Sequence, residues 1–299
     1  MYNTDTNTPQ SEINQRIEKL RNQLEENHIG AALLVQRADL FYFAGSVQEA
    51  HLYVPVDEEP ILMVFRSLDR AIAESSLSRI VPLSSPKAVP DLLDQYGYSV
   101  PPVIGMELDV LPASIFFSYQ RIFGKKNLVD ISHLIRLVRA VKSPYEIEMM
   151  RRAAELSDQV AACVPALLRE GMTELELAGK VEAQARKRGH QGIVRMRYWG
   201  GEVFYGHLMA GPSGAVPSFP RSPTGGSGAS PAVAQGPGFR PIQRHEPVLV
   251  DYVFALNGYY SDHTRIFSIG EPTDEMMAAH AAMLDVQALI KMEARPGVK

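Results

Sequence analysis

Apolar residues recur at helical spacing near the start of the chain. In EINQRIEKLRNQLEENHI, Ile13, Ile17, Leu20 and Leu24 fall on one face and charged residues fill the other, which predicts a helix packed on a sheet. The period then changes. GAALLVQRADLFYFAG opens with a short apolar run and continues as an aromatic, strand-like run, and PILMVF, RIVPL and VIGMEL repeat the short-strand signal. LDRAIAESS and AVPDLLDQYG supply helical stretches between them. Such alternation predicts a small α/β domain over residues 12–138.

A boundary follows. Pro144 disfavours helical geometry at Ser143 but is accepted in a helix's first turn, so Ser143 is the expected N-cap of a helix with apolar positions Ile147, Met150, Ala154 and Leu156. Thr173 and Glu176 have the spacing of a capping box, opening a second helix with Leu175, Ala178 and Val181 on its apolar face. These helices begin an α+β domain over residues 144–299. Residues 206–240 are rich in Gly, Pro and Ser without a sustained period; they read as a long loop, of a kind usually functional or disordered. PVLVDYVFALNGYYSDHTRIFSIG carries the strongest strand signal in the chain. A last helix is expected in TDEMMAAHAAMLDVQALIKMEARPG, with Met276, Met277, Ala281, Leu284 and Ala288 as apolar positions.

Composition narrows the classes of function. With 45% hydrophobic and 21% charged residues among 299, the chain is of ordinary globular type. Thirty Lys and Arg against 34 Asp and Glu, a net charge of -4, give no general attraction to nucleic acid or to an anionic membrane. A single cysteine, Cys163, excludes an internal disulfide framework. The opening MYNTDTNTPQSEIN resembles neither a secretory signal nor an anchor, and no apolar run approaches the roughly 20 residues a membrane-spanning helix needs, so a cytoplasmic location is expected.

The candidate chemistry lies in the strand-rich segment. Asn257-Gly258 is a two-residue type I′ turn signal, and its register sets Leu256 opposite Tyr259, Val253 opposite Asp262 and Asp251 opposite Thr264. Asp251 and Asp262 then share one face as diagonal neighbours, with Cβ atoms about 6–8 Å apart, a span that carboxylates can close around one metal ion or a metal pair. Two acids inside an apolar hairpin are costly unless a hard cation neutralises them. The alternatives are a strand-edge Asp251 bonded to backbone, and an Asp262 that belongs to a loop. His263 points away from the pair, His245 reads as a solvated turn residue, and Arg265 faces opposite to Asp262. PTGGSG at 223–228 lacks the Lys-Ser/Thr ending of a phosphate-binding loop.

VLVD at 248–251 followed by GYYSDHTRIFSIG at 258–270 resembles the metal-binding strand pair of the Xaa-Pro aminopeptidase, prolidase and creatinase family. RAVKSPYEIEMMRRAA at 139–154 is similar to the domain junction of the prolidase-like branch, and DLFYFAG, IGMELDVLP and DISHLIRLVR to its N-terminal domain. The resemblance implies a creatinase-like α/β domain followed by a pita-bread domain, with Asp251 on one of two divalent ions and Asp262 bridging both. Manganese is the expected metal, with cobalt or zinc as alternatives. One His and two Glu ligands would follow PGV at 296–298, so the chain ending at Lys299 is expected to be C-terminally truncated, with an incomplete centre and no activity by itself. The family's histidine position corresponds to Ser218, which cannot serve as an acid or base near neutral pH, and His207 in FYGHLMAG is the candidate substitute. The implied function is metal-dependent hydrolysis of a peptide or small amide substrate, as an Xaa-Pro aminopeptidase or Xaa-Pro dipeptidase. A creatinase-like hydrolase of nonpeptide C–N bonds and a noncatalytic interaction or scaffold protein are the alternatives, and a homodimer is compatible with each.

Overall fold

The computed structural model describes residues 6–197, 205–218 and 225–298. The chain divides into two compact units, one of Met1–Glu148 with Arg195–Glu202 and the other of Met149–Val194 with Val203–Lys299.

The first unit alternates helix and strand: α1 (Gln10–Glu26), β1 (Ala31–Leu34), α2 (Arg37–Ala44), β2 (Ala50–Pro55), β3 (Ile61–Val64), α3 (Leu68–Glu74), β4 (Ile80–Pro82), α4 (Val89–Gln95), β5 (Val103–Met106), α5 (Ala113–Phe123), β6 (Asn127–Asp130) and α6 (Ser132–Ala140). Its six-stranded sheet has the order β4-β3-β2-β1-β5-β6. β2 runs antiparallel to both neighbours, whereas β1 with β5, β5 with β6 and β3 with β4 are parallel. Alternation of side chains splits each inner strand between two cores. Ala32, Leu34, Leu52, Val54, Leu62 and Val64 meet Ile13, Ile17, Leu20 and Leu24 of α1 on one side. Ala31, Leu33, Tyr53, Ile61 and Met63 meet Leu93 of α4 and Tyr119 and Phe123 of α5 on the other. A sheet covered on both faces has near-continuous apolar strands, as these short runs show.

The aromatic run expected as a strand is instead α2. The Gln36 side chain accepts hydrogen bonds from the Ala38 and Asp39 N–H groups at 2.6 and 3.1 Å, and Gly45 ends the helix at φ 75°. Leu40, Phe43 and Ala44 are buried at helical spacing between them, so the two caps and the core outweigh the strand preference of the aromatic residues. Asp39 on this helix is fully buried and pairs with Arg139 at 2.9 Å and Arg197 at 2.6 Å. Burial pushes its carboxyl up while the two guanidiniums oppose that shift. At the domain junction Ser143 caps as expected: its Oγ accepts from the Glu146 N–H at 3.1 Å and its own N–H donates to Glu146 Oε2 at 2.9 Å.

The second unit takes most of α7 (Pro144–Ala161), then α8 (Val164–Leu167), α9 (Glu174–Lys187), β7 (Gly206–Ala210), β8 (Val248–Leu256), β9 (Tyr259–Phe267) and α10 (Asp274–Glu293). The period expected for α7 holds, but its buried face in this unit is Met149, Ala153, Ser157 and Val160. Ile147 and Met150 are 47% and 38% exposed, whereas Leu156 packs against this core, so only part of the expected apolar face is buried. The capping box of Thr173 and Glu176 forms as expected. β7, β8 and β9 make an antiparallel sheet with β8 in the centre, and Leu208, Val250, Tyr252 and Phe254 pack with Val160, Leu177 and Val181. The last helix is present as expected and is exposed along its length. Among the described residues, no helix is long and apolar enough to cross a membrane.

His51 gives the first unit a testable acid sensitivity. It is buried on β2, its Nε2 is 2.5 Å from the Tyr119 hydroxyl, and burial pushes its pKa down to about 4. A folded pKa below the unfolded value of about 6.5 means the unfolded chain takes up the proton first. The neutral imidazole's contribution is therefore complete above pH ~6.5 and is lost as pH falls toward 4, to a limit of about 3 kcal/mol. Urea unfolding of wild type and His51→Phe, at neutral pH and near pH 4, should show the wild type losing about 3 kcal/mol more on acidification. An identical pH dependence in both proteins contradicts this assignment.

Candidate functional site

The site is built from the register of three strands. Asn257 at φ 48° and Gly258 at φ 80° supply the two positive φ values of a type I′ turn, a geometry glycine adopts without strain. From that turn Leu256 pairs with Tyr259, Val253 with Asp262 and Asp251 with Thr264, as the sequence predicts. Side chains alternate across β8: Val250, Tyr252 and Phe254 enter the helix-facing core, leaving Asp251 on the opposite face. The Thr264 hydroxyl donates to Asp251 Oδ1 at 3.0 Å.

The third strand is the feature that sequence reasoning missed. The segment read as a loop from residue 206 begins with β7, and His207 pairs directly with Asp251. The short apolar run Leu208-Met209-Ala210 after His207, closed by Gly211-Pro212, was the available signal. Gly206 makes the approach feasible, because a Cβ at that position would lie 2.1 Å from the Asp251 carbonyl oxygen. His207, Asp251 and Thr264 thus form one cross-strand row, with Asp262 diagonal to Asp251.

Electrostatics couple the three titratable groups. Burial lowers the pKa of His207, while the charges of Asp251 and Asp262 and a hydrogen bond to the Gly225 carbonyl act in the opposite direction. Asp262 is exposed in part, yet the loss of water around it raises its carboxyl pKa, and the negative charge of Asp251 raises it further. The acids are therefore less enclosed than an apolar hairpin suggests: Asp251 is half-buried and Asp262 lies toward solvent.

The other candidates separate cleanly. His263 lies on the helix-facing side, with Nε2 3.1 Å from Ser157 Oγ, and Arg265 on that side reaches Asp158 at 3.2 Å. His245 is an exposed turn residue at φ 64° whose Nδ1 is 2.8 Å from the Glu271 carbonyl oxygen. Ser218 donates from Oγ to the Ala234 carbonyl at 2.5 Å.

Carboxylate and imidazole donors suit manganese, zinc or cobalt. Loss of water raises the Asp262 carboxyl and repulsion from Asp251 raises it further, a cost of the kind a cation relieves, so the pair fits part of a divalent centre. Among the described residues no three His, Cys, Asp or Glu side chains converge closely enough to enclose an ion. A complete coordination shell therefore needs water or further ligands besides these residues.

Two glycine substitutions test the packing that brings His207 to Asp251. Gly206→Ala places a methyl group against the β8 backbone and should lower stability by roughly 1–3 kcal/mol. Gly179→Ala, at an open position in α9, should raise stability by about 0.5–1 kcal/mol. Denaturant unfolding of both variants measures these changes, and a neutral Gly206→Ala would contradict the close approach of β7.

Two family models account for most of the chain: Creatinase/Prolidase N-terminal domain over residues 16–141 and Metallopeptidase family M24 over residues 148–299. The Xaa-Pro dipeptidase of Pyrococcus furiosus is 23% identical over 287 residues, which are 96% of this chain and 74% of that protein. The solved prolidase of Pyrococcus horikoshii OT3 superposes with a TM-score of 0.75 at 20% identity, covering 95% of this chain and 73% of its own. The X-Pro aminopeptidase of Thermotoga maritima MSB8 gives a TM-score of 0.70 at 23% identity, covering 91% and 70% respectively. At these identities the structures establish the fold, and the match over half of the sequence establishes the family. The chain belongs to metallopeptidase family M24, with a creatinase-like N-terminal domain ahead of a pita-bread domain.

Proposed function

We propose that the protein takes part in metal-dependent hydrolysis of the amide bond in Xaa-Pro peptides or dipeptides, with Asp251 and Asp262 as ligands of a manganese centre. The observation that carries this reading is the shared face of Asp251, Asp262 and His207 within the M24 match. The names of the Pyrococcus and Thermotoga relatives support the Xaa-Pro class of substrate. A divalent ion supplies Lewis-acid chemistry, lowering the pKa of water and polarising a carbonyl.

The chain's own residues have separable parts. Asp251, oriented by the Thr264 hydroxyl, and Asp262 present carboxylate oxygens from adjacent strands. His207 lies on the third strand, with a ring N–H held by the Gly225 carbonyl, and its place beside the acids suits it to proton movement at the substrate. Ser218, at the family histidine position, has a hydroxyl engaged by Ala234 and no group that titrates near neutral pH.

Mn²⁺ titration and hydrolysis of an Xaa-Pro dipeptide and an Xaa-Pro-leading peptide test the proposal in the natural full-length protein. Asp251→Asn and Asp262→Asn should each weaken Mn²⁺ binding by at least about tenfold and lower turnover with it. His207→Asn should lower turnover while leaving most of the metal affinity. Unchanged Mn²⁺ binding in both Asp variants would overturn the metal assignment.

A further inference from the structure

We infer that Glu174 is a positioning residue for His207, acting as a clip that fixes both the strand carrying the imidazole and the loop to which it bonds. This rests on the reading of His207 as part of the site.

Glu174 opens α9, is fully buried, and spends its two carboxylate oxygens on two different backbone segments. Oε1 accepts from the Ala210 N–H at 2.8 Å, three residues after His207 on β7. Oε2 accepts from the Gly238 N–H at 2.9 Å, within the described stretch that starts at Gly225. The grip is closed on each side. The Leu175 N–H donates to the Gly238 carbonyl at 3.1 Å, so both polar backbone groups of Gly238 are held by the start of α9. Arg240 donates from Nη1 to the Ala210 carbonyl at 3.1 Å, which leaves both polar backbone groups of Ala210 held as well.

Those two anchors flank the contact made by the imidazole. Two residues before Gly238, the Gly236 N–H donates to the Gly225 carbonyl at 2.8 Å. The same carbonyl receives the ring N–H of His207. A circuit therefore runs from Glu174 through Ala210 and β7 to His207, and back through Gly225, Gly236 and Gly238 to Glu174. A buried carboxylate whose two oxygens each accept from a backbone N–H has a definite need for both. Placing it here fixes the distance between the imidazole and its acceptor, and with it which ring nitrogen carries the proton. A hydrophobic residue would fill the space but leave two buried N–H groups unpaired.

Glu174→Gln tests the clip, because the amide NH₂ must face one of the two N–H donors. The readout is the pair of imidazole ¹⁵N resonances of His207 in metal-free protein, recorded above the histidine titration range. The wild type should show two widely separated signals, one for a nitrogen locked as N–H donor and one for its unprotonated partner. In Glu174→Gln the two should move toward each other as the tautomers mix. Thr173→Ala is the control: it removes the α9 cap and about 1 kcal/mol of stability but leaves the carboxylate in place, so the His207 signals should keep their separation. Should Glu174→Gln not fold, Glu174→Asp carries the same test, since one methylene fewer prevents the carboxylate from reaching both segments. Unchanged His207 signals in the folded Glu174 variant, or an equal change in Thr173→Ala, would overturn the inference. The measurement involves neither metal nor turnover, so its failure is distinguishable from failure of the proposed hydrolysis.

Discussion

The register of β8 between its two neighbours is the constraint on which the site depends. A strand alternates its side chains, so a one-residue slip would turn Asp251 into the core and Val250 or Tyr252 toward the open face. Burial of Val250, Tyr252 and Phe254 opposes such a slip from one side of the sheet, and the tight Asn257-Gly258 turn opposes it along the chain. Gly206 then permits β7 to close on β8 at the level of Asp251. Three independent local features, a core face, a turn and a missing Cβ, thus converge on one arrangement of His207, Asp251 and Asp262.

Much of this was legible in the sequence because it was local. A two-residue turn of Asn-Gly type fixes pairing by counting outward, and the nine-residue strands on either side follow that count without a bulge. Caps are equally local: Ser143 caps α7 ahead of Pro144, and the Thr173–Glu176 capping box forms where its spacing places it. The phase of α7 was less accessible. Its apolar residues lie on more than one side, and only packing selects Met149, Ala153 and Val160 over Ile147 and Met150. For α2 the intrinsic preference of Phe and Tyr for strands competed with a Gln cap and a left-handed Gly45, and the core decided in favour of the helix.

The pairing of His207 with Asp251 was hidden for a different reason. More than thirty residues separate β7 from β8, and the intervening Gly, Pro and Ser obscure a strand of only five residues. What orders the described parts of that segment is a set of backbone N–H donors held by charged side chains. Glu174 holds Ala210 and Gly238, and Arg240 makes a two-pronged pair with Glu246 at 2.7 and 2.6 Å. Such charge-assisted bonds organise a loop that has no apolar period to read. In the first unit, by contrast, a sheet covered on both faces made the short apolar runs a sufficient guide to the α/β class.

The central claim is that Asp251 and Asp262 share a divalent cation. Anomalous diffraction at the manganese edge from Mn²⁺-soaked crystals of the natural full-length protein tests it most directly. The account predicts an anomalous peak within about 2–2.5 Å of a carboxylate oxygen of each residue. Manganese bound elsewhere, with both carboxylates out of reach of the peak, would contradict it.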